Sequence, residues 1–194
     1  ETTARNLLKN AGQRFDKGGD EYFNALSALQ KSIRGSDENA AIFYLAKILE
    51  NGGLIAACRR LLVIAAEDIG LAYPQAIQIV RACCESAKEL GMPEAQIPLA
   101  NATLLLATAP KSNSVETSIL AACEAVKAGK GIDCPRHLQS PLFKGYKYPH
   151  AYPNHYVEQQ YLPDDLVGKR YYEPGPNKTE QAAAAYWEGI KGKK

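Results

Sequence analysis

Leu54-Ile55-Ala56-Ala57-Cys58-Arg59-Arg60-Leu61-Leu62-Val63-Ile64-Ala65-Ala66-Glu67-Asp68-Ile69 is apolar around most of a helical circumference and stops at Gly70. Charge interrupts it at two places only, Arg59-Arg60 and Glu67-Asp68. A helix hydrophobic nearly all round must be covered on all sides. The stretch therefore predicts a helix over 54–69 inside a bundle of others, and the flanking sequence supplies them. Upstream, Asp20 can cap a segment in which Tyr22, Phe23, Leu26, Leu29 and Ile33 keep the i, i+3, i+4, i+7 spacing, with Gly35 as a stop. Ser36 or Asp37 caps the next, with Ala41, Phe43, Tyr44, Leu45, Ile48 and Leu49 inward and Gly52-Gly53 at its end. Downstream, Pro74 suits the first turn of a fourth helix that reaches Leu90 before Gly91. Pro93 stands near the start of a fifth, which carries Ile97, Leu99, Leu104, Leu105 and Leu106 and ends by Pro110. Ser112 or Asn113 caps a sixth that runs to Ala128 before Gly129. Connections this short favour antiparallel neighbours.

After Gly129 the pattern changes. Residues 130–176 hold Pro135, Pro141, Pro149, Pro153, Pro163, Pro174 and Pro176, together with seven of the chain's 11 tyrosines. Proline at that density forbids a long helix, and no strand alternation is visible. Tyrosine at that density calls for burial against something. The expected organisation is all-α: a compact bundle of about six antiparallel helices over 1–128, an extended Pro/Tyr-rich segment over 129–176 packed on it, and a short helix with a basic tail over 177–194. The glycine stops are unevenly spaced and no signature recurs, so a solenoid is disfavoured.

Composition narrows the function classes. Over 194 residues, 46% hydrophobic and 23% charged content is enough for one sizeable core and excludes disorder as the main state. The longest uncharged stretch, 95–110, is broken by Gln96, Pro98 and Asn101 and falls short of the about 18 apolar residues of a membrane span. No basic-then-apolar leader opens the chain, and Glu1 rather than Met suggests a piece of something longer. Net charge is +2, too small to announce nucleic-acid binding in bulk. It is divided unevenly, with 13 basic against 14 acidic residues over 1–128 and 10 against 7 over 129–194. Five cysteines make no disulfide framework. Cys58, Cys83, Cys84 and Cys123 lie in apolar helical contexts and read as small hydrophobes in a reducing cytoplasm.

Chemistry-bearing patterns are few. No glycine-rich phosphate loop of the Gly-Lys-Ser/Thr type is present, and Gly129-Lys130-Gly131 lacks the strand and helix that would make it a cradle. Cys134, His137, His150 and His155 are separated by two, 12 and four residues, the interval of a zinc finger. Pro149 and Pro153 break the helix on which a finger carries its last two histidines, so loop histidines bonded to backbone are expected and no metal is assigned. Glu67 and Asp68 oppose the dipole at a helix C-terminus. That predicts structural ion pairing, with Arg59, Arg60 and Lys111 as nearby bases and no catalytic role. Phe143-Lys144-Gly145-Tyr146-Lys147-Tyr148 interleaves basic and aromatic residues, a pattern that can hold single-stranded nucleic acid. Lys144, Tyr146, Lys147, Tyr148, Lys169, Arg170, Arg59, Arg60 and Lys111 are the candidates for such contacts. The competing reading packs the tyrosines on helices and leaves the lysines in water.

Several ordered strings resemble a known family. Arg14-Phe15-Asp16-Lys17-Gly18-Gly19-Asp20 leads to Ala28-Leu29-Gln30-Lys31-Ser32-Ile33-Arg34-Gly35-Ser36-Asp37. Then come Glu67-Asp68-Ile69-Gly70-Leu71-Ala72, Leu106-Ala107-Thr108-Ala109-Pro110-Lys111-Ser112-Asn113, Gly145-Tyr146-Lys147-Tyr148 and Gln160-Tyr161-Leu162-Pro163. Over about 14–174 these resemble the C-terminal region of the replication-associated recombination ATPases, the bacterial RarA/MgsA and the eukaryotic Werner-helicase-interacting type. The segment 134–144 is shorter than the usual family version. The resemblance implies a clamp-loader-type collar fold and an assembly role, as a homotetramer, in an AAA+ ATPase of DNA replication, recombination and repair at stalled forks. It implies that ATP and Mg belong to an ATPase module left off this chain, so that no catalytic or cofactor-binding residue is expected here and the fragment is not itself an enzyme. It further implies DNA contact, by this chain or only by the full-length protein, replication or single-strand-binding proteins as other partners, no membrane, and a cytoplasmic, nucleoid-associated location. The small net charge of 129–194 makes any DNA contact by this chain weak. A nucleic-acid-binding module using the basic and aromatic strip is the alternative function.

Overall fold

The computed structural model describes residues 20–140 and 144–192. The resemblance string at 14–19, the loop residues 141–143 and the terminal Lys193-Lys194 lie outside the described residues. Seven helices follow in order: α1 Asp20–Arg34, α2 Glu38–Glu50, α3 Leu54–Ile64, α4 Ala76–Leu90, α5 Gln96–Thr108, α6 Ser114–Lys127 and α7 Lys178–Lys191. No strand occurs among the described residues, and the all-α expectation holds. A π turn, Ala65–Ile69, and a 3-10 turn, Gly70–Ala72, extend α3 to the end expected from sequence. Between α6 and α7 the backbone is extended, punctuated by the short 3-10 turns Arg136–Leu138, Pro149–Ala151, Pro153–His155 and Asp164–Leu166.

Helix ends follow from local chemistry. Asp37 accepts the Ala40 N–H at 2.8 Å and caps α2. The break before it is a Schellman-type closure, with Asp37 N–H on Ser32 O and Ser36 N–H on Ile33 O. Its left-handed residue is Ser36 (φ 57), and not the Gly35 that marks the stop in sequence. Gly53 is required by close packing, because a Cβ there would stand 2.6 Å from Ile48 Cγ2. Two starts shift from expectation. Pro74 precedes α4 by two residues, and Pro98, not Pro93, sits in the first turn of α5, where a missing N–H costs no hydrogen bond.

The chain forms two compact units, Glu1–Lys111 and Ser112–Lys194. Punctuation in the sequence puts the boundary at 128; the fold groups α6 with the tail. In the first unit α5 packs against α2 and α4, and α1 packs against α2 and α3. Leu29, Ile33, Ile48, Leu61, Ile64, Ile69, Val80, Leu99 and Leu106 are fully buried there. Cys58, Cys83 and Cys84 are buried as expected, whereas Cys123 on α6 is exposed. Two aromatic rings counted as inward face solvent instead, Phe23 at 61% and Phe43 at 63% exposure. Each leans edge-on against the neighbouring tyrosine, Tyr22 or Tyr44. No described helix is long and apolar enough to cross a membrane.

Candidate interaction surfaces

Glu67 and Asp68 sit in the π turn, where α3 has released its regular ladder. π turns inside helices are frequent at functional sites. Asp68 is buried and Glu67 half-buried. Their compensating base is Arg34, at the C-terminus of α1: its Nη2 donates to Glu67 Oε1 at 2.7 Å and its Nε to Asp68 Oδ1. Gln30, one turn earlier on α1, donates from Nε2 to Glu67 (2.9 Å) and Asp68 (3.1 Å) and accepts from Arg60 Nη1 at 2.7 Å. Arg60 thus reaches the acidic pair only through Gln30, and Arg59 is exposed on α3. Lys111 does a different job from the one expected. Its ammonium donates to Ser36 Oγ, Ala107 O and Ala109 O at 2.7–2.9 Å, closing the C-terminus of α5 rather than opening α6. Burial pushes its pKa below the usual lysine range, opposed by the charge of Asp68. All three donors of Lys111 are engaged, so it does not offer them to a phosphate.

The second unit has its own buried carboxylate, which sequence reading missed. Glu180, in the first turn of α7, is 2% exposed. Its Oε1 accepts from Ser114 Oγ (2.5 Å) and Tyr172 Oη (3.0 Å), and its Oε2 from Asn177 Nδ2 (2.5 Å). Ser112 Oγ bonds Ser114 Oγ at 3.1 Å, and Asn177 Oδ1 accepts the Glu180 N–H as the α7 cap. Burial works to raise the Glu180 pKa, but hydrogen bonds from Ser112, Ser114, Asn177 and the Gly175 backbone together outweigh it and hold the carboxyl at about 2. The same contact raises Tyr172 above the ordinary phenol value, burial being the larger cause. Gly175 must be glycine, since a Cβ would lie 2.8 Å from Glu180 Oε2 and 3.0 Å from Ser112 Oγ. The spacing Asn177-x-x-Glu180 was the available signal, a relative of the capping box.

The remaining candidates are dispersed. Tyr146, Tyr148, Tyr152, Tyr161 and Tyr172 keep between 36% and 59% of their surface exposed, although Tyr172 bonds Glu180 and Tyr161 shares a cavity with Trp187. Lys144 is exposed, and Lys147 reaches Glu158 O at 3.4 Å while Gln159 bonds both its backbone N–H and its carbonyl. Lys169 lies over the Tyr171 ring and lines a shallow cavity beside α6 with Glu124 and Asp165; Arg170 is exposed. The zinc-interval residues do not converge. His137 bonds Gln160 O at 2.8 Å, His150 and His155 bond each other at 3.3 Å, and Cys134 O accepts from Gln139. Among the described residues no three Cys, His, Asp or Glu side chains gather to hold a metal. Beside His155, residues Pro149, Tyr156, Val157, Tyr161, Trp187 and Lys191 line an open cavity of about 280 Å³. Large apolar side chains also stand exposed on α5 (Ile97 at 74%, Leu104 at 41%), on α3 (Ile55, Val63) and on α6 (Ile119, Leu120, Val126).

A family model described as MgsA AAA+ ATPase C terminal matches residues 35–191. The chain belongs to this family. The MgsA C-terminal match agrees with full-length relatives. Replication-associated recombination protein A of Bacillus subtilis (strain 168) is 51% identical over 181 residues, 89% of this chain and 43% of that protein. The Escherichia coli (strain K12) protein of the same name is 37% identical over 182 residues, 87% of this chain and 41% of that protein. ATPase WRNIP1 of Dictyostelium discoideum is 33% identical over 178 residues, 86% of this chain and 20% of that protein. The chain spans about two fifths of the length of the bacterial relatives it matches. It is the C-terminal domain of an AAA+ ATPase family associated with replication and recombination, and the MgsA-type surfaces above are those of that domain.

Proposed function

We propose that this domain assembles the ATPase, joining chains as a homotetramer, and that ATP and Mg are handled by a module outside it. The observation that carries the reading is α5. Its inner face buries Leu99, Ala102, Leu106 and Ala107, yet its outer stripe still holds Ile97 and Leu104 in solvent. That exposed stripe alternates Ile97 and Leu104 with Asn101 and Thr108, and Phe23, Phe43, Ile55 and Val63 add exposed apolar side chains on the same unit. Exposed large apolar side chains on α1, α2, α3 and α5 of one unit support an interaction site, and a second copy of the chain supplies a self-complementary partner. The parent is then a cytoplasmic, nucleoid-associated protein of DNA replication, recombination and repair.

Sedimentation equilibrium over micromolar concentrations tests the assembly. A mass near four chains is expected, with a melting temperature that rises with concentration. Ile97→Asp combined with Leu104→Asp should lower that mass without unfolding the unit, because exposed substitutions usually cost within about 0.5 kcal/mol. A single-chain mass across the range would overturn the reading. Saturable ATP binding by this chain in calorimetry would overturn the placement of nucleotide chemistry elsewhere.

A further inference from the structure

The cavity against α7 combines three features that the assembly reading does not use. First, it is walled by aromatic rings. Tyr156 and Trp187 meet edge-on with centroids 6.4 Å apart, Tyr161 lines the same cavity, and Tyr186, outside it, stands edge-on 5.4 Å from Trp187. Trp187 and Tyr186 remain 41% and 61% exposed, so these large rings are not consumed by packing. Second, the one charged side chain among the described residues that line it is a lysine. Lys191, one turn beyond Trp187 on α7, holds its ammonium 5.6 Å from the Trp187 ring centroid, and His155 lines the same cavity. Among the described residues that line the cavity there is no carboxylate. Third, the row continues outward. His155 contacts His150 (5.0 Å between rings), and His150 contacts Tyr148 (5.2 Å), next to Lys147. Asn154 and His155 hold this row in place with left-handed backbone, φ 55 and 53. Such backbone costs energy in residues other than glycine and persists where the surroundings require it.

We propose that this cleft binds single-stranded nucleic acid, one base stacking on Trp187 between Tyr156 and Tyr161 and the adjoining phosphates meeting Lys191 and Lys147. A cavity of about 280 Å³ lies at the small end of ligand sites, which run from about 300 to 1,000 Å³, and suits one base rather than a larger ligand. Rings with cations at both ends form a stacking platform with an electrostatic track, the arrangement by which single strands are held with little sequence preference. An acidic peptide would share the charge match but would also seek backbone pairing. At Lys147 that edge is closed, because Gln159 takes both the N–H and the carbonyl.

Trp187 is the single tryptophan of the chain, so its fluorescence reports this site alone. The full chain is titrated with a 12-nucleotide oligothymidylate, the matching oligouridylate, a 12-base-pair duplex and a 12-residue Asp/Glu peptide. Saturable quenching by either single strand is expected, the tighter of the two identifying the sugar preferred, with little response to duplex or peptide. Anisotropy of the labelled strand then compares variants of verified helicity. Trp187→Ala should weaken binding about 5- to 150-fold, the span of base–aromatic stacking, while Trp187→Phe should stay within a few-fold. Lys191→Ala should reduce the log–log salt slope by about 0.7, one phosphate contact fewer on a single strand. Absence of quenching by both strands at low salt, binding unaltered by Trp187→Ala, or quenching by the peptide alone would overturn the proposal. Sedimentation of Trp187→Ala separates it from the assembly reading: an unchanged mass is expected, and a fallen mass would make the cleft a subunit contact instead.

Discussion

Removing the charge of Glu180 should cost the second unit about 3 kcal/mol at neutral pH and abolish most of its stability change in mild acid. The magnitude follows from the carboxyl being held at about 2 against an ordinary 4.5. A difference of about 2.5 pH units corresponds to about 3 kcal/mol at 1.36 kcal/mol per unit. Because the folded-state pKa is the lower one, this stabilisation is fully present above pH 4.5 and is lost as pH falls from 4.5 through about 2. Glu180→Gln keeps the volume but turns one acceptor into an NH2 group that faces the Asn177 amide. Asn177 cannot flip to receive it without releasing the Glu180 N–H that it caps. Urea unfolding followed by Trp187 fluorescence is the assay, since Trp187 lies two turns along the same helix. Measured at pH 7, 4.5, 3 and 2, the wild type should lose about one proton's worth of slope more than the variant. Parallel pH profiles for the two proteins would refute the assignment of Glu180 as the buried charged group.

Three further outcomes test the packing argument. Gly175→Ala should destabilise the same unit by about 1–3 kcal/mol, because the new Cβ meets a carboxylate and a hydroxyl already locked in hydrogen bonds; urea midpoints measure it. Arg34→Ala should cost the first unit about 2–3 kcal/mol by thermal denaturation, less than the 3–5 kcal/mol of a fully buried pair because Arg34 is half exposed and Asp68 keeps the Gln30 hydrogen bond and the charge of Lys111. Thr103→Val should stabilise by about 1–2 kcal/mol, since the fully buried Thr103 Oγ1 has no partner among the described residues and valine has the same shape; a lower melting temperature would show that the hydroxyl is bonded after all.

Helix order and type were legible because each helix carries its own punctuation. Asp37, Gly52-Gly53, Gly91 and Gly129 act within a few residues of where they stand, and the structure uses them there. What could not be read is what depends on width rather than period. Phe23 and Phe43 fall within apolar stripes, but those stripes are broader than the faces that α1 and α2 bury, so the surplus rings end in solvent. The same breadth on α5 leaves Ile97 and Leu104 outside while Leu99 and Leu106 are inside. The nucleic-acid candidates were grouped by residue type, and the fold separates them: Lys111 is occupied by two carbonyls and Ser36, Arg60 donates to Gln30, and Lys169 lies beside Glu124 and Asp165.

The two buried carboxylates show why one was visible in sequence and the other was not. Asp68 is balanced by a formal charge, and a charged residue in an apolar run announces that a base must be somewhere near. Searching along the neighbouring sequence found the need but the wrong base, because Arg34 comes from α1, 34 residues earlier, to the end of α3. Glu180 is balanced by hydroxyls, an amide and a backbone N–H, none of which bears a charge. Neutral donors converge on a carboxylate only through the fold, here from Ser114, 66 residues before it in the chain. The difference is also physical. The Arg34 pair is half open to water, so salt screens it. The Glu180 cage is closed and made of fixed dipoles, so ionic strength leaves it nearly untouched while acid does not. A charge-counting reading of sequence therefore finds the weaker, screened anchor and passes over the stronger one.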